Sequence, residues 1–429
     1  MKFYNLNDNN QQVDFKTAVQ TGLGRNQGLF FPKKLPTLEN VDELLEQDFI
    51  TRSHAILSPY VNENINNDTL TTIIAESFNF PILLNSVSQN KDCNQFCLEL
   101  FHGPTLAFKD FGARFMAQCL SYFSSDQKIT ILTATSGDTG AAVAHAFYGL
   151  ENIEVVILFP KGKISPLQQK MFTTLDKNIR TIAIDGSFDD CQQLVKQSFD
   201  DQELVKDVGL NSANSINISR LLAQVCYYFE AVSQLPKSHR NNLAISVPCG
   251  NFGNLCAATI AKTMGLPVEK LIAATNENDT VPRYLDTGKW QPNPTVATLS
   301  NAMDVSKPNN WPRIEYLIQS EQISTELIQA IKIDELTTKQ GMAELNNINY
   351  LTEPHGAVAY QALKALTQKQ MNGIFLGTAH PAKFKESVES ILSLSLDLPE
   401  AIQNCADKTD LSVDLAADYK SLKAFLQNL

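Results

Sequence analysis

The stretch HGPTLAFKDFG occupies residues 102–112 and places one lysine, Lys109, among apolar and small residues. A helical pattern begins at this lysine. A lysine in an apolar setting loses solvation of its charged form, so its pKa falls and the neutral amine becomes available. Such an amine can form a Schiff base with a carbonyl compound. The competing interpretation is that Lys109 and Asp110 are a solvated, purely structural pair at a helix start.

The size and charge of the chain limit its possible partners. It has 429 residues, of which 43% are hydrophobic and 19% are charged. This length exceeds a single hydrophobic core, so we expect two or three domains of a globular protein. The net charge of −11 argues against nucleic acid or an anionic membrane surface as the main partner. It does not exclude anionic small molecules, because the local charge of a pocket can oppose the global charge.

The cysteines and the apolar runs indicate a reducing compartment. None of the eight cysteines belongs to a Cys-x-x-Cys pair, so we expect reduced, mostly buried thiols and no metal site. The start, Met1–Asn5, is too polar for a signal peptide, and no run of about 18 apolar residues could span a membrane. We therefore expect a cytoplasmic protein.

From Ile129 onward, short β-branched runs alternate with helical patterns. The runs that predict buried strands are Ile129–Thr133, Val155–Phe159, Ile179–Ile184, Leu243–Val247, Leu271–Thr275 and Ile374–Leu376. The predicted helices include Ala141–Leu150, Phe188–Val205 and Ser219–Leu235. This alternation predicts an α/β protein with parallel sheets and right-handed crossovers. Ligands bind to such sheets in the loops at the carboxyl ends of the strands.

Two glycine-containing loops follow predicted strands and precede predicted helices. The loop TSGDTG, residues 135–140, offers backbone N–H groups and three hydroxyls at a helix N-terminus, which suits an anion. Its alternative is an ordinary N-cap made by Thr135 or Ser136. The loop PCGNFGN, residues 248–254, can aim consecutive N–H groups at one oxyanion. Its alternative is a tight structural turn.

A third loop, NSINISR at residues 214–220, is dense in side-chain donors and ends on Arg220. A guanidinium with nearby amides and hydroxyls, here those of Asn214 and Ser215, suits a phosphate dianion. The alternative is an exposed helix cap, because Asn and Ser are frequent there.

Together these motifs resemble those of threonine synthases, in their bacterial and fungal form, which are tryptophan-synthase-β-like enzymes of pyridoxal-phosphate fold type II. The resemblance runs from Phe3 to Lys385 and implies that Lys109 carries pyridoxal 5′-phosphate. It further implies that the cofactor phosphate is held by the loop residues Gly250, Asn251, Phe252, Gly253 and Asn254. Asp138 would lie near the phenolic oxygen of the cofactor, and Thr378 would face its pyridine nitrogen. The substrate carboxylate would be held by Thr135, Ser136 and Thr139, and the substrate phosphate by Asn214, Ser215 and Arg220.

The resemblance also implies the architecture. We expect two parallel-sheet α/β domains with an N-terminal extension and the cofactor in the cleft between the domains. The expected borders are 1–90 for the N-terminal domain, 91–238 for the smaller α/β domain with the substrate loops, and 239–429 for the larger one with the cofactor-phosphate loop.

The implied reaction converts O-phospho-L-homoserine and water into L-threonine and phosphate, by a monomer or weak homodimer. One alternative is a related pyridoxal-phosphate-dependent phospho-lyase or a serine/threonine dehydratase, which would not need both the carboxylate loop and the second phosphate site. Another alternative is a non-catalytic amino-acid-binding member of the fold, against which the presence of Lys109 argues. Four residues near the motifs are left without a role, namely Lys161, Lys163, His380 and Lys383.

Overall fold

The computed structural model describes residues 1–89, 94–124, 128–367 and 371–429. The strands in these ranges are β1 (Phe3–Asn5), β2 (Asp8–Val13), β3 (Phe30–Pro32), β4 (Leu83–Gln89), β5 (Asn94–Glu99), β6 (Ile129–Ala134), β7 (Ile153–Pro160), β8 (Ile179–Asp185), β9 (Leu210–Asn211), β10 (Leu243–Pro248), β11 (Lys270–Thr275), β12 (Ile328–Lys332), β13 (Asn372–Gly377) and β14 (Val413–Ala416).

The α-helices in the same ranges are α1 (Phe15–Thr21), α2 (Val41–Leu44), α3 (Phe49–Val61), α4 (Asn67–Ser77), α5 (Lys109–Phe123), α6 (Asp138–Phe147), α7 (Pro166–Thr173), α8 (Phe188–Asp200), α9 (Gln202–Asp207), α10 (Ile218–Ser233), α11 (Gly253–Thr263), α12 (Thr280–Thr287), α13 (Trp311–Gln319), α14 (Glu335–Asn347), α15 (Pro354–Leu366), α16 (Lys385–Leu392), α17 (Glu400–Ala406) and α18 (Tyr419–Gln427). Short 3-10 helices lie at Arg25–Gln27, Lys237–His239, Asn301–Met303, Thr325–Leu327 and Pro381–Phe384.

The strands form three sheets. A small antiparallel sheet has the order β2-β1-β3, a six-stranded sheet has the order β12-β11-β10-β13-β5-β4, and a five-stranded sheet has the order β14-β8-β7-β6-β9. Every pairing in the five-stranded sheet is parallel. In the six-stranded sheet only the edge strand β4 runs antiparallel, against β5. The predicted parallel α/β architecture is therefore confirmed.

Helix α10 is central to the packing of the molecule. Of its 16 residues, 14 are buried, so it presents apolar side chains all round rather than along one stripe. It packs against both α5 and α11. Because α5 begins at Lys109 and α11 begins at Gly253, this packing brings two of the predicted motifs to the same helix.

The predicted strands are confirmed within two residues at each end, and the predicted helices are confirmed with one change. The single helix expected over 188–205 is two helices, α8 and α9, because Asp201 turns out of the helix and accepts a hydrogen bond from the N–H of Leu204 at 3.1 Å. That carboxylate caps the start of α9 and so divides the run.

Strand pairing crosses the expected domain borders at three places. Strand β4 lies in the segment 1–90 but pairs with β5 in the segment 91–238. Strand β5 lies in the segment 91–238 but pairs with β13 in the six-stranded sheet. Strand β14 lies in the segment 239–429 but pairs with β8 in the five-stranded sheet. Each of the two larger sheets thus draws on more than one segment, and the borders themselves stay a prediction.

The described cysteines, all but Cys93, are free and buried. Cys93 lies outside the described residues. No helix in the described ranges is both long and apolar enough to cross a membrane.

Candidate active site

Lys109 is the first residue of α5, and the turn before it is tied to the segment that follows β13. The N–H of Phe108 donates to the carbonyl of Thr378 at 2.9 Å, and the N–H of His380 donates to the carbonyl of Leu106 at 3.0 Å. These bonds place Lys109 at the carboxyl end of the six-stranded sheet, beside Thr378. Thr378 is buried, and no side chain or carbonyl of the described residues pairs with its hydroxyl.

The buried carboxylate of Asp110 stabilises the same turn. Its carboxylate accepts hydrogen bonds from the N–H of Thr105 at 2.9 Å and from the Thr105 hydroxyl at 2.5 Å. Asp110 is only 1% exposed, and burial raises its pKa to about 6 in spite of the two Thr105 bonds, which lower it. The interpretation of Lys109 and Asp110 as a solvated pair is therefore wrong, since Asp110 bonds to its own turn and is shielded from solvent.

Asp138 stands between two ammonium groups. One carboxylate oxygen, Oδ1, lies 2.6 Å from Lys383 Nζ, and the other, Oδ2, lies 3.8 Å from Lys109 Nζ. Burial lowers the pKa of Lys109 below its ordinary value, although the charge of Asp138 opposes that shift. Burial alone would raise the pKa of Asp138, but the charges of Lys383 and Lys109 outweigh it and hold that pKa below its ordinary value. Asp138 is therefore a carboxylate, and Lys109 is an amine that deprotonates more easily than usual.

The loop at residues 135–140 has free donors at the start of α6. The Thr135 hydroxyl oxygen accepts hydrogen bonds from the N–H groups of Gly137 at 3.0 Å and Gly140 at 2.8 Å, so it shapes the loop from within. Gly137 has a φ of +141°, a conformation that suits glycine. Within the described ranges, the N–H groups and the hydroxyls of Ser136 and Thr139 have no hydrogen-bond partner. They leave an anion-binding position open at this helix N-terminus.

The loop at residues 250–254 has a similar open set of donors. No acceptor among the described residues pairs with the backbone N–H groups of Gly250 to Asn254. The loop is held by its side chains instead, because Asn254 Nδ2 donates to the carbonyl of Pro248 at 2.8 Å and Asn251 Oδ1 accepts from the N–H of Asn309 at 2.6 Å. Phe252, with a φ of +59°, turns the chain into α11. Consecutive N–H groups at a helix start form a cradle for a phosphate.

Arg220 is a buried cation with no acidic partner among the described residues. Its Nη1 donates to the carbonyl of Ala213 at 2.6 Å, whereas its buried Nε has no partner in those residues. Burial lowers its pKa to about 10, which leaves the guanidinium charged at neutral pH. A buried unpaired charge is costly, so an anion that reaches Arg220 would gain a strong charge-assisted pair.

One side-chain contact joins two of the loops, and one close approach of two helices brings Arg220 towards Lys109. Asn251 Nδ2 donates to Ser215 Oγ at 2.7 Å, and Ser215 Oγ donates to Asn214 Oδ1 at 3.3 Å. A Cβ atom on Gly112 would lie 2.9 Å from the carbonyl oxygen of Arg220, so only glycine allows α5 to approach α10 this closely. Lys109 lies about one turn before Gly112, and Arg220 is thereby brought near it.

Of the four residues left without a role, only Lys383 joins the cluster around Lys109. Lys161 is exposed and pairs with Asp414 at 2.6 Å, and Lys163 is also exposed, so neither joins the cluster around Lys109. His380 caps the turn at Pro381–Phe384, since its Nδ1 accepts from the N–H of Ala382 at 3.1 Å. Lys383, in contrast, is buried beside Asp138. The sequence offers one signal for this, namely that Lys383 follows a strand end as the loops do.

A second set of residues behind the 250–254 loop was not predicted. A Cβ atom on Gly250 would lie 2.8 Å from both the carbonyl oxygen of Ala302 and the Cα of Met303. The N–H of Ala302 donates to His355 Nε2 at 3.1 Å, and His355 Nδ1 pairs with the buried Glu353. The Glu353–His355 pair thus stabilises the segment at Ala302 and Met303, which packs against the 250–254 loop.

Comparison with known proteins identifies the family. The pattern described as "Pyridoxal-phosphate dependent enzyme" matches residues 79–374, and those described as "Threonine synthase N terminus" and "Threonine synthase, C-terminal" match residues 2–78 and 356–426. The chain belongs to the threonine synthase family. It is 58% identical to the threonine synthase of Escherichia coli (strain K12), with 100% of each chain covered.

Solved structures agree with this assignment. The crystal structure of the Escherichia coli threonine synthase superposes with a TM-score of 0.94 at 58% identity, covering 100% of both chains. The crystal structure of pyridoxal-phosphate-bound threonine synthase from Brucella melitensis superposes with a TM-score of 0.92 at 30% identity, covering 100% of this chain and 99% of the other. The expected family, fold, enzyme class and pyridoxal 5′-phosphate cofactor are thereby confirmed.

The site residues fit pyridoxal phosphate. A buried lysine of lowered pKa can bond the aldehyde of the cofactor. The open N–H groups of the 250–254 loop can donate hydrogen bonds to its phosphate. Thr378, whose carbonyl accepts from the N–H of Phe108 next to Lys109, carries a hydroxyl that could serve the ring nitrogen. The roles of the individual residues stay a prediction.

Proposed function

We propose that this threonine synthase family member converts O-phospho-L-homoserine and water into L-threonine and phosphate. The observation that carries this proposal is the buried Arg220, whose Nε has no partner among the described residues while a second, separate set of phosphate-type donors lies at Gly250–Asn254. A single phosphate, that of the cofactor, would occupy only one of these sites. A substrate with its own phosphate accounts for the other.

We assign the cofactor to Lys109, to the loop from Gly250 to Asn254, and to Asp138 and Thr378. Lys109 would bond the cofactor covalently, and the N–H groups of Gly250, Asn251, Phe252, Gly253 and Asn254 would hold its phosphate at the start of α11. Asp138 would face the phenolic oxygen. The hydroxyl of Thr378 would meet the pyridine nitrogen as a neutral partner, which leaves that nitrogen largely unprotonated and moderates electron withdrawal. When bound, the cofactor supplies the electron sink that allows the Cα proton to leave.

The substrate would lie between the other two loops. We assign its carboxylate to Ser136 and Thr139 at the start of α6, with Thr135 holding that loop in shape through its bonds to Gly137 and Gly140. The substrate phosphate would be held by Asn214, Ser215 and Arg220. The helix N-terminus and the guanidinium orient the two ends of one small dianionic molecule.

Lys109 is placed to move the protons. With the substrate held on the cofactor, the Lys109 amine would take the proton from Cα and then one proton from Cβ, as the Cγ–O bond breaks and the phosphate leaves with its oxygen. Burial lowers the pKa of Lys109, which increases the fraction of neutral amine that can serve this step. Water would then add its hydroxyl at Cβ, Cγ would take up a proton to become the methyl group, and Lys109 would return a proton to Cα. Arg220 would stabilise the departing phosphate.

The direct test is to incubate the cofactor-loaded protein with O-phospho-L-homoserine and to assay threonine and phosphate together. We expect the two products in equal amounts, and none from homoserine. Release of phosphate with a keto acid instead of threonine would favour a phospho-lyase, and turnover of serine or threonine alone would favour a dehydratase.

We also infer a cytoplasmic location and a monomer or weak homodimer. The free, buried state of the described cysteines supports a reducing compartment. Sedimentation at several protein concentrations measures the oligomeric state. A stable tetramer would contradict the inferred monomer or weak homodimer.

A further inference from the structure

Lys383 is a deeply buried cation beside the reactive lysine. Its side chain is 1% exposed, against 18% for Lys109. Besides its ion pair with Asp138 Oδ1 at 2.6 Å, its Nζ donates to the carbonyl of Thr105 at 2.8 Å. Lys383 therefore joins the turn before Lys109 to the start of α6, across the site.

The two lysines compete for one carboxylate. Asp138 Oδ1 is in close contact with Lys383, while Oδ2 remains 3.8 Å from Lys109, beyond hydrogen-bond distance. A close ion pair with a carboxylate stabilises the charged form of an amine and makes it a poorer nucleophile. In the structure the carboxylate is thus paired closely with Lys383 and not with Lys109.

Of the acidic groups near Lys383, Asp138 is the one that is available to pair with it. The titratable groups that sense the charge of Lys383 are Lys109 and Asp110 on α5, Asp138 and His145 on α6, and His380 after β13. Of the two acids among them, Asp110 is already bonded twice by Thr105. His145 is bonded to the carbonyl of Met171 at 2.8 Å.

We propose that Lys383 is a positioning residue that holds the Asp138 carboxylate away from Lys109 and thereby keeps the Lys109 amine reactive. This inference rests on the proposed role of Lys109 as the cofactor lysine. A purely structural role would tie the segments together without affecting the reactivity of Lys109.

The test measures the reactivity of Lys109 in the cofactor-free protein. The protein is treated with acetic anhydride at a constant, mildly alkaline pH, and the rate of acetylation at Lys109 is followed by peptide mass mapping. We expect Lys383→Met to slow labelling of Lys109 at least about threefold, because the carboxylate then pairs with Lys109. The matched control is Lys385→Met, which removes a lysine paired with Glu389 at 2.7 Å outside the site, and its rate should equal that of the wild type.

Two further variants separate positioning from folding. Lys383→Arg retains a cation and should restore at least half of the Lys109 labelling rate that Lys383→Met loses. Lys383→Met combined with Asp138→Asn removes both charges and should label at least as fast as the wild type. If Lys383→Met does not fold, this double variant alone decides the matter, because a slower rate than the wild type contradicts the proposal.

Unchanged labelling in a folded Lys383→Met protein also overturns the proposal. The role of Lys109 is tested separately, by borohydride reduction of the wild type loaded with pyridoxal phosphate. A pyridoxyl group on another lysine refutes the proposed cofactor site, whereas the ratio of labelling rates still reports on Lys383.

Discussion

Asn251 Nδ2 donates a hydrogen bond of 2.7 Å to Ser215 Oγ, and this bond joins the loop that we assign to the cofactor phosphate to the loop that we assign to the substrate phosphate. The same Asn251 accepts from the N–H of Asn309 through its side chain. Occupation of one phosphate site should therefore influence the donors of the other.

Removing this bond should weaken both ligands. Asn251→Ala and Ser215→Ala should each reduce cofactor affinity and raise the KM for phosphohomoserine. Because the two side chains are in contact, their effects should not add, with an interaction energy of about 0.5–3 kcal/mol. A double-mutant cycle on the cofactor Kd measures this quantity. Additive effects would show that the bond is not a coupling element.

Gly253→Val should abolish tight cofactor binding while the cofactor-free fold survives. The nearest protein atom to a Cβ at Gly253 is Asn310 Nδ2 at 3.4 Å, so the protein itself can accept a side chain there. The matched variant is Gly250→Val, whose Cβ would lie 2.8 Å from the Ala302 backbone. It should destabilise the cofactor-free protein by about 1–3 kcal/mol.

Fluorescence can follow both glycine variants. The two tryptophans of the chain stack on each other, and Trp311 contacts Phe252 at a ring distance of 5.7 Å. We expect cofactor binding to change this emission in the wild type and not in Gly253→Val. Normal cofactor titration of Gly253→Val would place the phosphate elsewhere.

The hydroxyls of the 135–140 loop should act on the substrate alone. Ser136→Ala combined with Thr139→Val should raise the substrate KM and leave cofactor affinity nearly unchanged. Thr135→Val should instead destabilise the loop, because the N–H groups of Gly137 and Gly140 lose their acceptor, at about 1–3 kcal/mol each. A marked loss of cofactor from the Ser136 and Thr139 variant would mean that the roles of the two glycine loops are exchanged.

The pH dependence of stability should carry a contribution from Asp110. Its pKa is raised from 3.8 to about 6 by burial, so the folded state binds the proton more tightly. The stability gained from this is fully present below pH 3.8 and is lost as the pH rises through about 6. The unfolding free energy of the wild type, minus that of Asp110→Asn, should fall by roughly 2–3 kcal/mol between pH 4 and 7.

Asp190 provides a control of opposite sign. The N–H of Ser187 holds the pKa of this exposed capping carboxylate below its ordinary value. The stability that it contributes is present above the ordinary pKa and is lost as the pH falls. Urea unfolding of Asp190→Asn should therefore diverge from the wild type in the direction opposite to Asp110→Asn, and a common direction would contradict the account.

The sequence predicted those parts of the fold that are buried on both faces. Strands β6, β7 and β10 are mostly apolar and almost wholly buried, because each lies inside a parallel sheet. The edge strand β12 (Ile328–Lys332) is partly exposed and has a mixed composition, so no periodic signal marks it. The same holds for β14.

The site was predictable where a motif is contiguous and not where a contact is made by the fold. The loops around Asp138 and Gly253 were expected from local chemistry at strand ends. The ion pair between Lys383 and Asp138, and the hydrogen bond from the N–H of Ala302 to His355, join residues far apart in the chain. Only the tertiary structure could reveal them.

The measurement that tests the central claim most directly is the ratio of two activities in the wild type and in Arg220→Ala. These are kcat/KM on O-phospho-L-homoserine and the slow dehydration of serine or threonine, which carry no phosphate. A charge-assisted hydrogen bond contributes about 1.5–3 kcal/mol, so the first activity should fall by about tenfold to a hundredfold or more. Arg220→Lys should restore part of it, because a point charge does not replace the planar fork. The account predicts that the second activity changes much less. If both activities fall together, Arg220 supports the fold or the cofactor, and its assignment to the substrate phosphate is wrong.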